Sequence, residues 1–168
     1  MKKIIFKFLF LFFCAMTIVS CSKDTLEEDV EGYDPVSQDL EEIVYTEIEL
    51  EVLDKINIYR LELGLEKLVP LTEASQQAED HTDYMIEVGE VSHDHFPDRF
   101  SNLVQTAGAI AVSENVAFGY RSADAVFKAW LNSEAHRDNI VGDYTHFGIS
   151  IKEDVENRNY FTNIFLKK

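Results

Sequence analysis

Cysteine and basic residues are both scarce in this sequence. Only two of its 168 residues are cysteines, and 15 lysines and arginines face 31 aspartates and glutamates, so the formal charge is −16. A field of that sign repels phosphate backbones and argues against a nucleic-acid partner. The sequence also lacks a His-Glu-x-x-His zinc-protease motif, a glycine-rich phosphate loop and a serine in a sharp glycine-flanked turn. The common sequence signatures of hydrolases and nucleotide-binding proteins are therefore missing.

The first 20 residues have the composition of an export signal. Lys2, Lys3 and Lys7 form a basic region, and an apolar run follows at residues 8–19. That run is too short to span a bilayer as a mature helix and ends at small residues, so we expect residues 1–20 to be cleaved. Their loss makes the formal charge three units more negative.

The end of this signal is similar to the bacterial lipobox. Ile18-Val19-Ser20-Cys21 places a cysteine where a lipoprotein carries its lipidated first residue. We therefore expect a lipid-anchored, extracytoplasmic protein of the cell envelope, attached to a membrane through acylated Cys21. The alternative is an ordinary signal peptide with a chance cysteine near its end. Because Cys14 leaves with the signal, lipidation of Cys21 leaves no thiol for a disulfide.

Residues 21–45 are expected to form an acidic, flexible tether. The stretch is rich in aspartate and glutamate and has few large apolar residues, and Gly32 and Pro35 interrupt any helix. Cys21-Ser22-Lys23-Asp24 also resembles the surface-export signals of some Gram-negative lipoproteins, which would expose the protein on the outer membrane. A plain charged spacer is the alternative.

Residues 46–168 have the pattern of one α+β domain. Helical spacing predicts helices that end near Gly64 and Gly89, a third from Ser122 to about Asn132, and a short fourth that carries His136. Alternation at residues 147–151 and 160–165 predicts an antiparallel hairpin. The sequence leaves open whether residues 100–112 form a lid.

Three polar residues in separate segments are candidates for a functional site. His93 lies between predicted helices, Glu114 enters an apolar, strand-like stretch, and His136 lies on the fourth helix. Two histidines and a carboxylate suit zinc or another divalent cation if they converge, which their spacing alone does not show. His81 falls on the apolar stripe of the second helix, and we expect it to be buried.

Short motifs follow one another along nearly the whole mature domain. They are Asn57 to Arg60, Gly64 to Leu68, Ala78, His81, Tyr84, Met85, Ser92 to Asp94, Arg99, Glu114 to Ala117, Gly119, Trp130, Ser133, His136, Arg137, Asn139, Ile140, Phe147 to Ile149 and Tyr160 to Phe165. In this unbroken order they resemble the CAP superfamily of cysteine-rich secretory, antigen 5 and pathogenesis-related proteins. The chain looks like the disulfide-free bacterial branch known as SCP-domain proteins.

This resemblance implies an α-β-α sandwich with a small antiparallel sheet between helical layers. It also implies a central cleft that holds a divalent metal in some family members. The residues of this chain at the matching positions are His93, Glu114 and His136. Animal and plant members carry a second glutamate at the position of Ser133. Its absence here weakens the expected zinc site.

Three functions remain open from the sequence. The first is a binding module in the cell envelope for a small apolar ligand, such as a sterol or fatty acid, or for a partner protein. The second is a metal-dependent, protease-like hydrolase in which Glu114 is the general base and His93 and His136 hold zinc. The third is a structural His/Glu cluster in a protein that acts through protein interactions. We favour the first, a protein that is not an enzyme.

Overall fold

The computed structural model describes residues 43–168. The expected signal peptide, the lipidation site at Cys21 and residues 21–42 of the expected tether lie outside the described residues. Within residues 43–168, no helix is both long enough and apolar enough to cross a membrane.

Five helices and four strands make up the described part of the chain. In order they are α1 (Glu47–Glu62), β1 (Val69–Pro70), α2 (Thr72–Val88), α3 (Phe96–Ala107), β2 (Ala111–Phe118), α4 (Ala123–Asn132), α5 (Glu134–Val141), β3 (His146–Glu153) and β4 (Asn159–Lys167).

The strands form one sheet in the order β1-β3-β4-β2. β2 and β3 pair antiparallel with β4, as expected, but β1 runs parallel to β3, so the sheet is mixed and not purely antiparallel. The two residues of β1 are too few to carry an alternating pattern, so no sequence signal marks this strand.

Helices cover both faces of the sheet. On one face, Phe147, Phe161 and Phe165 pack with buried residues of α1, α4 and α5. On the other, Ile164 and Leu166 pack with alanines of α2 and with Leu103 of α3. The α+β, α-β-α sandwich expected from the sequence is therefore confirmed.

Local interactions fix the start of α1 against the sheet. Thr46 and Glu49 form a reciprocal capping box, in which the Thr46 hydroxyl accepts from the Glu49 backbone N–H and the Glu49 carboxylate accepts from the Thr46 N–H. The other Glu49 oxygen accepts from the backbone N–H of Ile151 at 2.8 Å. One buried carboxylate therefore joins the beginning of the domain to β3.

The predicted helices are present, with differences at their ends. Gly64 and Gly89 adopt left-handed backbone conformations that end α1 and α2. α2 begins at Thr72, and Leu71 before it makes no capping hydrogen bond through its side chain. Residues 100–112, whose structure the sequence left open, contain the end of α3 and the start of β2.

Candidate functional site

Glu114 lies on β2 with its carboxylate enclosed by protein. Its side chain is 1% exposed, and the Arg99 guanidinium on α3 donates to both of its oxygens, from Nε to Oε2 and from Nη2 to Oε1, each at 2.8 Å. His93 Nδ1 is also 2.8 Å from Oε1. Because a carboxylate only accepts, this ring nitrogen is the donor.

These partners keep Glu114 ionised. Burial alone would raise the pKa of the Glu114 carboxyl, but hydrogen bonds from His93 and Arg99, together with the charge of Arg99, outweigh burial and lower the pKa below its usual value. Arg99 and Glu114 form a buried, bidentate salt bridge. Loss of either partner would leave the other charge uncompensated inside the protein.

The loop that carries His93 is held at three consecutive residues. His81 Nε2 lies 2.8 Å from the Ser92 carbonyl oxygen, His93 bonds to Glu114, and Arg99 Nη1 donates to the Asp94 carbonyl oxygen at 2.7 Å. We call residues 92–94 the pinned loop. Its contacts orient His93 so that Nδ1 faces Glu114, while the side chain remains 52% exposed.

His81 is buried on α2, as its helical position predicted. Burial lowers the pKa of its imidazole, more than the nearby charge of Glu114 and the hydrogen bond to Ser92 raise it. The ring is therefore neutral at pH 7, with its proton on Nε2, because the Ser92 carbonyl oxygen can only accept. His81 therefore stabilises the pinned loop through its hydrogen bond to the Ser92 carbonyl oxygen.

His136 reaches the site from α5, which two asparagines join to β2. Asn115 donates to the His136 carbonyl oxygen at 3.0 Å, and Asn139 donates to the Asn115 side-chain oxygen at 2.8 Å and to the Glu114 carbonyl oxygen at 3.2 Å. Burial and the charge of His93 lower the pKa of the His136 ring. Within the described residues, the His136 ring makes no hydrogen bond or salt bridge.

His93 and His136 both line a cleft of about 580 Å³. Ser92 and Ser133 are its other polar lining residues, and the rest of the lining is apolar or aromatic: Val91, Val116, Ala117, Phe118, Tyr120, Ala129 and Trp130. The cleft thus combines an apolar wall with two imidazoles, a composition typical of ligand-binding sites.

The residues present do not fit a three-ligand metal site. Both Glu114 oxygens accept hydrogen bonds from Arg99, and one also accepts from His93. No group of three histidine, cysteine, aspartate or glutamate side chains in residues 43–168 has metal-binding geometry. The structure therefore brings His93 to Glu114 and His136 to the same cleft, but it does not assemble all three around a cation. A metal held by the two histidines alone stays a prediction.

Sequence reasoning missed the role of Arg99. The residue was part of the family resemblance, but nothing assigned it to the site, and it proves to be the principal partner of Glu114. Two other histidines do not line the cleft. His95 adopts a left-handed conformation before α3, and His146, the first residue of β3, contacts the hydroxyl of the preceding Thr145.

An α-β-α sandwich whose cleft is lined by two histidines, one of them bonded to a buried glutamate, defines a protein of the CAP class. The chain belongs to the cysteine-rich secretory protein (CAP) family, whose model matches residues 53–165.

Two proteins of Bacillus subtilis (strain 168) are similar in sequence. The membrane protein YlbC is 32% identical over 134 residues, which cover 74% of this chain and 36% of YlbC. The protein YkwD is 39% identical over 70 residues, which cover 41% of this chain and 24% of YkwD. The chain thus matches about a third of the length of YlbC and about a quarter of the length of YkwD.

Two bacterial proteins of known structure share this fold. An extracellular protein containing a SCP domain from Bacillus anthracis is 26% identical, with a TM-score of 0.62, over 71% of this chain and 40% of that one. An outer surface protein from Borrelia burgdorferi has a TM-score of 0.65 over 74% of this chain and 96% of that one. At 21% identity, the likeness to this Borrelia protein shows the fold alone.

Proposed function

We propose that this protein is an extracytoplasmic binding module, anchored to a membrane through lipidated Cys21, whose cleft holds a ligand with an apolar part. The observation that carries the proposal is the cleft itself, in which an apolar and aromatic wall adjoins two imidazoles. The apolar wall supplies affinity by removing ligand surface from water, and the imidazoles supply hydrogen bonds that orient a polar end. Sterols and fatty acids have this amphipathic form.

Metal-dependent hydrolysis has less support from the site. A general base needs a free carboxylate oxygen within reach of a water molecule. Both oxygens of Glu114 instead accept from Arg99, and the side chain is 1% exposed. The contacts of Glu114 favour a structural role for this residue and leave His93 and His136 as the groups that meet a ligand.

The relatives support a location outside the cytoplasm. A membrane protein, an extracellular protein and an outer surface protein are among those similar to this chain. Together with the export-signal composition of residues 1–20, this supports display on the cell envelope. Radiolabelled palmitate should label the wild-type protein and should fail to label Cys21→Ser.

Trp130 offers a direct test of binding because it is the only tryptophan in the chain and lines the cleft. Residues 21–168 with Cys21→Ser would be titrated with palmitate and with cholesterol sulfate while Trp130 fluorescence is recorded. A saturable change with either compound is expected. Palmitate and cholesterol sulfate without any saturable effect would argue against an amphipathic ligand.

A matched pair of histidine variants assigns the signal to the cleft. His136→Gln removes an imidazole that lines the cleft, whereas His146→Gln changes a histidine that contacts Thr145 in β3. We expect weaker binding in the first variant and parental binding in the second. Equal affinities in both variants would place the ligand elsewhere.

A further inference from the structure

The cleft follows the free edge of the sheet. β2 is the last strand in the order β1-β3-β4-β2, so within the described residues one side of its backbone has no neighbouring strand. Three consecutive β2 residues, Val116, Ala117 and Phe118, line the cleft. Side chains of successive strand residues point to opposite faces, so a cavity that touches all three meets the strand edge-on.

The hydrogen-bond register shows which backbone groups point into the cleft. Phe118 is opposite Tyr160, and the Gly119 N–H donates to the Asn159 carbonyl oxygen at 2.8 Å. In an antiparallel ladder this bond makes Gly119 and every second residue before it the ones that bond to β4. The N–H and C=O groups of residues 114, 116 and 118 therefore point away from the sheet.

Hydrogen bonds from side chains confirm that these backbone groups point away from the sheet, and they satisfy two of the carbonyl oxygens. The Glu114 carbonyl oxygen accepts from Asn139, and the Val116 carbonyl oxygen accepts from Trp130 Nε1 at 3.3 Å. Among residues 43–168, the outward N–H of Val116 and the N–H and C=O of Phe118 have no hydrogen-bond partner. Two donors and one acceptor are thus left unpaired along the cleft. They lie on alternate residues of β2, the spacing at which a second strand would pair.

We propose that the cleft binds an extended peptide segment that pairs with β2 at Val116 and Phe118. A peptide residue opposite Phe118 would accept from its N–H and donate to its C=O, and the peptide residue two positions away would accept from the Val116 N–H. Unpaired sheet edges bind partner chains in this way, with alternate side chains entering pockets. A sterol or fatty acid, with a single polar end, would fill the apolar wall but leave part of this strand edge unpaired.

The chemistry of the surroundings specifies the peptide further. The side chains of Phe118, Tyr120 and Trp130 make the cleft wall aromatic, which suits an apolar residue at alternate positions. The chain's formal charge of −16 attracts cations over long range, which favours a peptide with a net positive charge. This inference rests on the proposed binding function and names peptide as the class of ligand.

The test uses acetyl-Lys-Val-Lys-Val-Lys-amide and two N-methylated isomers of it, titrated into residues 21–168 with Cys21→Ser. One isomer carries N-methyl groups on both valines and the other on the first two lysines, so each loses the donors along one edge of the extended peptide. Trp130 fluorescence reports binding. We expect one isomer to bind like the parent peptide and the other to bind at least about tenfold more weakly. Two isomers with equal affinities would overturn the proposal.

A variant of the protein tests the same bond from the other side. Phe118→Pro removes the outward N–H, which takes no part in the ladder with β4, and a proline is tolerated at such an edge position. Phe118→Ala is the matched control, because it also removes the ring but retains the N–H. The peptide should bind Phe118→Pro about tenfold more weakly than Phe118→Ala. Equal binding, with both variants folded by circular dichroism, would contradict the pairing.

The outcomes separate this inference from the proposed function. Binding of palmitate or cholesterol sulfate without binding of any peptide would overturn the peptide proposal and leave the binding module standing. Failure of all these probes to change Trp130 fluorescence would remove the support for both.

Discussion

Glu114 and His136 belong to the same site, yet the protein surrounds them differently. Glu114 has a side chain that is 1% exposed, and its carboxylate accepts from Arg99 and His93. The His136 ring faces the cleft, and only its backbone carbonyl is tied to β2, through Asn115. One half of the site therefore stabilises the fold and orients His93, whereas the other half is accessible to a ligand.

The largest expected effect comes from breaking the enclosed half. Arg99→Met should lower the free energy of unfolding by about 3–5 kcal/mol, because it leaves the Glu114 charge buried without its main partner. Urea unfolding followed by circular dichroism measures the change. Lys128→Met is the control, since its pair with Asp124 is exposed and should contribute far less to stability. A loss in Arg99→Met as small as in the control would show that the buried pair does not stabilise the fold.

A carboxylate added to the accessible half should create a zinc site there. Ser133 lines the cleft with His93 and His136, so Ser133→Glu supplies a carboxylate that Arg99 does not already bind. In 100 µM zinc, a site with a Kd near 1 µM would raise the stability of this variant by about 2.7 kcal/mol. The parent offers only His93 and His136, so its rise in zinc over EDTA should be clearly smaller. An equal rise in the parent would show that its own residues hold a metal without the added carboxylate.

Removing the support beneath the pinned loop should have an intermediate effect. His81→Phe leaves the Ser92 carbonyl oxygen without its donor, and we expect a loss of about 1–3 kcal/mol at pH 7. The pKa of His81 is lowered in the folded protein, so the parent loses stability as the pH falls from 6.5 through that lower pKa, because the unfolded chain takes up the proton first.

The variant lacks this proton uptake, and its stability should therefore fall less over the same pH range. Thermal melts of parent and variant between pH 7.5 and 5 measure the difference. Parallel curves would show that His81 does not titrate differently in the folded and unfolded states.

The smallest expected effect on stability comes from the accessible half. His136→Ala retains the carbonyl oxygen that accepts from Asn115, and alanine favours the helical conformation of α5. We expect a change of about 0.5 kcal/mol or less in the free energy of unfolding, together with weaker ligand binding. A loss of about 2 kcal/mol would instead assign His136 to the structural half.

Much of the fold follows from the sequence because its signals are local. The apolar spacing of α1, the left-handed glycines after α1 and α2, and the alternation of β3 and β4 each depend on neighbouring residues. α3 escaped prediction, since it begins after His95 in a left-handed conformation and leaves Phe100 and Val104 partly exposed. Its apolar residues do recur at helical spacing, but only Arg99 and Leu103 are buried, so the spacing alone does not identify the buried face.

The candidate site was less predictable because it depends on which distant residues meet. Family resemblance indicated His93, Glu114 and His136, and all three lie at or beside one cleft. Arg99 and Glu114 are 15 residues apart, and nothing in that spacing shows that a helix and a strand bring them into a buried pair. Because of this contact, Glu114, which the sequence suggested as a metal ligand, is instead one partner of an enclosed ion pair.

The most direct test of this account is a double-mutant cycle on Arg99 and Glu114. The free energy of unfolding would be measured by urea for the parent, Arg99→Met, Glu114→Gln and the double variant. Each single variant leaves one buried charge without its counterion, whereas the double variant leaves none, so the double variant should be more stable than the sum of the single losses predicts, by about 2–3 kcal/mol. Losses that simply add would contradict the enclosed pair and would return Glu114 to the set of residues available to a ligand or metal.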